Sequence, residues 1–147
     1  MHRKVAAALV AALALTLASC GGSETTVTRA QLVRRIEVAC RDGQLETQKQ
    51  MRASRRSGGT STFISAVLSG QKKELEAIDD FKVPDAVKAD YESFKEGVRA
   101  RVDAIERVAS AGRANFQSAL RAAQPQAEAA ARRVEAAARS LGIQGCQ

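Results

Sequence analysis

Aromatic residues and prolines are scarce in this chain of 147 residues, which contains no Trp, one Tyr, four Phe and two Pro. Strands favour aromatic and β-branched residues, and β-sandwiches need frequent turns, so this composition disfavours a sheet. Ala, Leu, Val and Ile supply most of the apolar residues, and they suit closely packed helices. We therefore expect an all-α fold with one hydrophobic core, because the chain is too short for two ordinary domains.

Histidine is limited to His2, which precedes an apolar run typical of a removable export signal. Without it the mature chain has no imidazole for Ser-His-Asp or Cys-His catalysis or for metal ligation. The carboxylates Glu92 and Glu96, and Glu74 with Asp79 and Asp80, are interpreted as solvated charges with basic neighbours, rather than as a metal or acid–base site. The sequence therefore predicts no catalytic residue and no metal site.

The amino terminus has the two parts of an export signal. Met1 to Lys4 carry positive charge, and Val5 to Leu17 form an apolar run interrupted only by Thr16. As a helix, residues 5–19 would rise about 22 Å, which is short of the roughly 30 Å hydrocarbon core of a bilayer. We expect export rather than a permanent transmembrane helix.

The residues at the end of this run resemble the lipobox of bacterial lipoprotein signal peptides: Leu17, Ala18, Ser19 and Cys20, followed by Gly21 and Gly22. The resemblance implies that a diacylglyceryl group is added to the Cys20 thiol, that a peptidase cuts before Cys20, and that acyl chains hold the mature protein on the membrane. No other cofactor is expected. The alternative is a plain secretory signal cut near Ala18, with Cys20 as a spare thiol.

The lipobox divides the chain into three parts: a signal peptide (1–19), a lipidated flexible tether (20–28) and a helical bundle domain (29–147). The tether is small, polar and without periodicity, and it extends only about 25–30 Å. The expected location is the extracytoplasmic face of the bacterial cell membrane.

Apolar residues at steps of three and four predict four helices. The first opens at a Thr28-x-x-Gln31 capping box, the second runs from Thr60 or Ser61 to Val83, the third begins at Pro84 and the fourth begins near Gly112. Short connections favour an up-down-up-down four-helix bundle. The predicted inward residues include Ile36, Cys40, Gly43 and Met51 in the first helix, Phe63, Ile64, Val67, Leu68, Leu75, Ile78 and Phe81 in the second, Tyr91, Phe94 and Val98 in the third, and Phe116, Leu120, Ala130, Val134 and Leu141 in the fourth.

Pro125 interrupts the last predicted helix, but the apolar register continues through it without a slip. Pro125 falls opposite the apolar seam, where a proline bends a helix around its core. We expect one helix kinked near Pro125, with two shorter helices as the alternative. Gly142 after Leu141 is typical of a glycine helix stop.

Two cysteines remain after Cys20 is assigned to lipid. Cys40 lies on the apolar face of the first helix, and the tail after Leu141 is long enough to fold back and bring Cys146 to it. An even number of thiols outside the cytoplasm favours a disulfide, and closing a loop of about a hundred residues contributes about 4–5 kcal/mol. The alternative is two inert or separately exposed thiols.

The whole chain also resembles small actinobacterial lipoproteins of unassigned function. The shared features are the lipobox, Val38-Ala39-Cys40 in the first helix, a proline-led middle helix, and a closing Leu141-Gly-x-x-x-Cys146. This resemblance implies the anchor and the disulfide, and no activity.

Positive charge is concentrated in the first helix. Removing Arg3 and Lys4 with the signal leaves 21 of the 23 basic residues against 16 acidic ones, and residues 29–56 contain eight basic and three acidic side chains. In an exported protein such a face fits anionic lipid headgroups or wall polymers, not nucleic acid. Arg52, Arg55 and Arg56 are candidate headgroup contacts; the alternative is a solvated helix end whose cations complement the helix dipole.

These features favour a non-enzymatic lipoprotein with a binding or structural role in the cell envelope, its partner being an envelope protein or anionic lipid. The alternative is a carrier of lipid or another apolar ligand, which needs an internal cavity of several hundred Å³. An enzyme ranks third, because it requires a cleft where carboxylates or a serine converge.

Overall fold

The computed structural model describes residues 27–54, 59–79 and 81–146, and this part of the chain contains four α-helices and no strand. The helices are α1 (Arg29–Ser54), α2 (Thr60–Asp79), α3 (Asp85–Ser110) and α4 (Gly112–Leu141). Each packs mainly on its neighbours in chain order. Consecutive helices are antiparallel, because paired contacts run in opposite chain directions: Cys40 with Glu74 and Thr47 with Gly70, Lys72 with Glu106 and Asp79 with Arg99, and Asp90 with Ser140 and Glu96 with Arg133. The predicted up-down-up-down bundle is confirmed.

Local signals in the sequence set the outer ends of the bundle. The Gln31 amide donates to the Thr28 hydroxyl at 3.3 Å, and the Thr28 amide donates to the Gln31 side chain at 2.8 Å, which completes the capping box. At the end of α4, Gly142 adopts a left-handed conformation with φ of 85°. The Ile143 amide then donates to the Ala138 carbonyl at 2.9 Å, and the chain turns back towards α1.

Helix α2 ends at Asp79, earlier than the predicted Val83. The Tyr91 hydroxyl donates a hydrogen bond to the Ile78 carbonyl and so satisfies one of the free acceptors at the end of the helix. Phe81 and Val83 pack against the core from the connection instead of from a helix. The connection therefore buries apolar side chains without continuing α2 to the proline.

Helix α4 runs unbroken through Pro125, whose side chain is exposed. The alternative of two shorter helices is therefore wrong. The exposed position agrees with the predicted placement of this proline opposite the core, and the bend itself stays a prediction.

The main core lies at the end of the bundle where α1 begins and α4 ends. Its largest fully buried side chains are Tyr91, Phe94, Leu32, Ile36, Ile78 and Leu141. A smaller cluster of Ala104, Val108 and Ala123 occupies the other end, with Ile64, Phe116 and Ala127 packed against it. The end of the bundle where α1 begins is thus the better packed of the two.

The buried line of α2 differs from the predicted one. Its buried residues are Ala66, Gly70, Glu74 and Ile78, at steps of four, while Phe63 is 52% exposed. The reason is close contact between α1 and α2, which brings the smallest side chains of both helices to their interface. In α4, the prediction that Leu120 lies in the buried seam is wrong, because this side chain is 42% exposed.

Candidate functional site

The predicted lipid attachment site lies outside the described residues, as do Arg55 and Arg56 of the predicted headgroup cluster. Arg52 is in the last turn of α1 and is exposed. It lies about 34 Å along the helix axis from Arg29, at the end of α1 that is distant from the tether. The three arginines are therefore not described together, and only Arg52 is placed.

The predicted disulfide is confirmed. Cys40 and Cys146 are bonded, with Cα atoms 5.3 Å apart, across 106 residues of sequence. Cys40 is buried in α1, and Ile143 packs into the main core, so the tail follows the predicted path. The Gln144 amide also donates to the Glu37 carboxylate at 3.1 Å. The tail thus ties the end of α4 to the middle of α1.

Glu74 lies directly beneath this disulfide and is only 3% exposed, so the interpretation of its carboxylate as a solvated charge is wrong. Nη2 of Arg101 lies 3.4 Å from both carboxylate oxygens, and the Gln71 amide nitrogen donates to Oε2 at 3.2 Å. Sγ of Cys40 lies 3.5 Å from Oε1. Because this sulfur is bonded to Cys146, it has no proton to donate.

Burial raises the pKa of the Glu74 carboxyl above its ordinary value of 4.5, while the Arg101 charge and the Gln71 hydrogen bond act in the opposite direction. Two further atoms of this cluster, Arg101 Nε and Gln71 Oε1, are buried without a hydrogen-bond partner among the residues that the structure describes. Spacing is the sequence signal that reveals Glu74, because it lies four residues after Gly70 and four before Ile78 on the buried line.

Two surface clefts flank this polar cluster, and Arg101 and Cys146 line both. The cleft towards α1 and α2 has a volume of about 340 Å³ and is also lined by Thr47, Met51 and Gln71. The cleft along α4 has a volume of about 330 Å³ and is lined by Val134 and Ala138 among others. The arrangement offers a neutralised ion pair and a bonded disulfide rather than a free nucleophile.

Asp80 lies outside the described residues, and the other predicted carboxylates remain at the surface in ion pairs. Asp79 lies 3.0 Å from Arg99, and Glu92 lies 3.1 Å from Lys95. Glu96 lies 3.2 Å from Arg133 on α4. Within the described ranges, no three potential ligating side chains are grouped in a way that would hold a metal ion.

At the opposite end of the bundle lie two open clefts, one of which is lined by the exposed Phe63. One has a volume of about 470 Å³ and is lined by Met51, Arg52 and Phe63. The other has a volume of about 390 Å³ and is lined by Ile64, Val108 and Phe116. Both clefts are open to solvent and lie between helix ends, at the end of the bundle that holds the smaller core cluster.

None of the helices between residues 27 and 146 that the structure describes combines the length and hydrophobicity needed to cross a membrane. No protein-family model, curated protein or solved structure matches the chain.

Proposed function

We propose that this chain is a membrane-anchored extracytoplasmic lipoprotein whose helical bundle has a non-enzymatic binding or structural role in the cell envelope. The observation that carries the proposal is the disulfide between Cys40 and Cys146. Structural disulfides persist in oxidising compartments and are rare in the cytosol. The lipobox ending at Cys20 supports the same location, because it adds an export signal and an acyl acceptor.

The start of the folded domain supports attachment close to the bilayer. Thr28, the capping residue of α1, lies eight residues after Cys20. An extended tether of this length spans about 25–30 Å, so an acylated Cys20 would keep the end of the bundle where α1 begins near the headgroups. Two acyl chains would make this attachment stable, since each buried methylene contributes about 0.8 kcal/mol.

The polar cluster supports a role without catalysis. Its carboxylate, on Glu74, is held by Arg101, and the neighbouring sulfur of Cys40 is bonded. A nucleophilic cysteine needs a free thiolate, which neither Cys40 nor Cys146 offers in this state.

The packing of the main core favours a binding or structural module over a carrier of apolar ligands. Large side chains, including Tyr91, Phe94 and Leu32, are fully buried there. The clefts described above lie at the surface between helices. A carrier would instead enclose its ligand in an apolar cavity.

The test is the intact mass of the full chain expressed in a bacterial host that processes lipoproteins. We expect a mature protein that begins at Cys20 and includes the added diacylglyceryl mass. The Cys20→Ala variant should lack this mass, whereas the matched Cys146→Ser variant should retain it. A wild-type protein that retains Met1, or that has no fatty acid, would show that the proposal is wrong.

A further inference from the structure

The two sulfurs of the disulfide differ in their access to solvent. Cys40 is 2% exposed within α1, whereas Cys146 is partly exposed in the tail after α4. Cys146 lines both clefts that flank the polar cluster, and Cys40 borders only the cleft towards α1 and α2. These clefts have volumes of about 340 and 330 Å³, which is enough for a small thiol. Because exchange depends on which sulfur can be reached, attack by a small thiolate is directed to Cys146.

The buried carboxyl group of Glu74 lies against the other sulfur. Its Oε1 is 3.5 Å from Sγ of Cys40, a separation that suits a hydrogen bond from a thiol. The bonded sulfur has no proton for this contact, whereas a Cys40 thiol would donate one to the carboxylate. The surroundings of Cys40 thus fit the reduced sulfur better than the bonded one.

The groups around Glu74 favour transfer of its proton to Cys40. From α1 the carboxyl side chain meets Cys40 and Gly43, neither of which is charged, and from α3 it meets Arg101. Burial raises the pKa of Glu74, so this carboxyl keeps its proton to a higher pH than an ordinary glutamate does. Once the proton has left, Arg101 at 3.4 Å and the Gln71 amide at 3.2 Å stabilise the carboxylate.

We infer that the disulfide is an exchange site for small thiols, in which Cys146 accepts the attacking sulfur and Glu74 protonates Cys40. An external thiolate attacks Sγ of Cys146 and forms a mixed disulfide, while the bond between the two protein sulfurs breaks. Its electron pair leaves with Sγ of Cys40, which takes the proton of the Glu74 carboxyl. The products are a Cys40 thiol and a Glu74 carboxylate.

A second small thiolate completes the exchange. It attacks the sulfur of the first thiol in the mixed disulfide, and Cys146 leaves as a thiolate. The two small thiols are thereby oxidised to their own disulfide, and the protein disulfide is reduced. Ile143 in the main core and the Gln144 contact with Glu37 still hold the tail beside α1, so the two protein sulfurs stay close enough to bond again.

The inference goes beyond the proposed function, because exchange needs neither the lipid nor the membrane. The test therefore uses the full chain with Cys20→Ala, which leaves only the two sulfurs of the disulfide. This reference protein is incubated with free cysteine and quenched with an alkylating reagent, and peptide mass spectrometry locates the cysteinyl group. We expect the cysteinyl group on Cys146 and the alkyl group on Cys40. A cysteinyl group on Cys40, or no exchange with the folded protein, would overturn the inference.

The pH dependence of the rate tests the role of Glu74. The rate constant is expressed per cysteine thiolate, calculated from the ordinary thiol pKa of about 8.5. In the reference protein it should fall as the pH rises through the pKa of Glu74, because only the protonated carboxyl can donate. Glu74→Gln should give a flat profile, about a hundredfold lower at low pH. Glu76→Gln, exposed on the same helix, should keep the profile of the reference protein.

A further variant separates attack on the folded protein from reduction after unfolding. Val108→Ala removes methyl groups from the smaller core cluster, so it lowers stability without touching the disulfide. We expect an unchanged exchange rate in this variant. A rate that rises in proportion to the loss of stability in urea would overturn the inference, because exchange would then need global unfolding.

Two of these measurements need no substitution at Glu74. The position of the cysteinyl group and the pH profile of the reference protein decide the inference even if Glu74→Gln does not fold. A rate per thiolate that does not fall with rising pH in the reference protein would show that Glu74 does not protonate Cys40, and would overturn the inference.

Discussion

The carboxyl group of Glu74 lies between an arginine, an amide and a disulfide sulfur. Burial has the largest effect on its pKa and raises it. A buried ion pair costs desolvation of both groups, and the attraction in the interior offsets this only with good geometry. Here the carboxylate accepts from Arg101 and Gln71 at 3.2–3.4 Å, while Arg101 Nε has no partner within the described part of the chain. The pair is therefore weak evidence for a gain in stability.

The raised pKa of Glu74 predicts a pH dependence. The folded protein binds this proton more tightly than the unfolded chain does, so its contribution to stability is present below the ordinary pKa of 4.5 and is lost as pH rises through the raised pKa. We expect the free energy of unfolding of wild type, relative to that of Glu74→Gln, to fall as the pH rises through the raised pKa of this carboxyl. Urea unfolding at several values from about pH 4 to about pH 8 measures it.

Glu76→Gln is the matched control for this measurement, because Glu76 lies on the same helix with an exposed side chain. The free energy of unfolding of Glu76→Gln should change with pH in the same way as that of wild type. Parallel stability curves for wild type and Glu74→Gln would show that burial does not perturb this carboxyl.

At the scale of elements, contact between α1 and α2 depends on two glycines. A Cβ atom on Gly43 would lie 2.7 Å from the Gly70 carbonyl oxygen, and one on Gly70 would collide with the Gly43 carbonyl and with Thr47 Oγ1. The Thr47 hydroxyl already donates to the Gly43 carbonyl at 3.1 Å. The helix backbones therefore approach each other too closely for any larger residue.

Gly70→Ala should lower the free energy of unfolding by about 1–3 kcal/mol through overpacking, although alanine is the better helix former by about 1 kcal/mol. Chemical denaturation of both proteins measures the difference. Gly59→Ala is the control, since a Cβ atom there meets nothing within 4 Å. A Gly70→Ala protein as stable as wild type would mean that α1 and α2 separate without cost.

The elements that local signals define were predictable, and those that depend on tertiary contact were not. The capping box at Thr28 and the glycine stop at Gly142 need only neighbouring residues, and both are confirmed. The buried line of α2 depends on its fit to α1, so apolar patterning alone favoured Phe63 over Gly70 and Glu74. Hydrophobicity indicates which residues gain from burial, whereas backbone proximity decided which are buried.

At the scale of the whole molecule, the first and last helices are joined mainly at one end. The tail packs Ile143 into the main core, and Arg29 contacts the last carbonyls of α4. The cysteines predicted this link under the expectation of export, since two thiols outside the cytoplasm favour one bond. The polar cluster beneath it was not predictable, because tertiary packing brings Arg101 and Glu74 together from the neighbouring helices α3 and α2.

Because this link joins residues 106 positions apart, its loss should affect the whole fold. Loop-closure entropy predicts that Cys146→Ser lowers the free energy of unfolding by about 4–5 kcal/mol, a large part of the roughly 5–15 kcal/mol available to a domain. Urea unfolding of the full chain measures this loss. Gln144→Ser should unfold like wild type, and wild type in reductant should unfold like Cys146→Ser. Unfolding of wild type and Cys146→Ser at the same urea concentration would show that the described contacts alone hold α1 and α4 together.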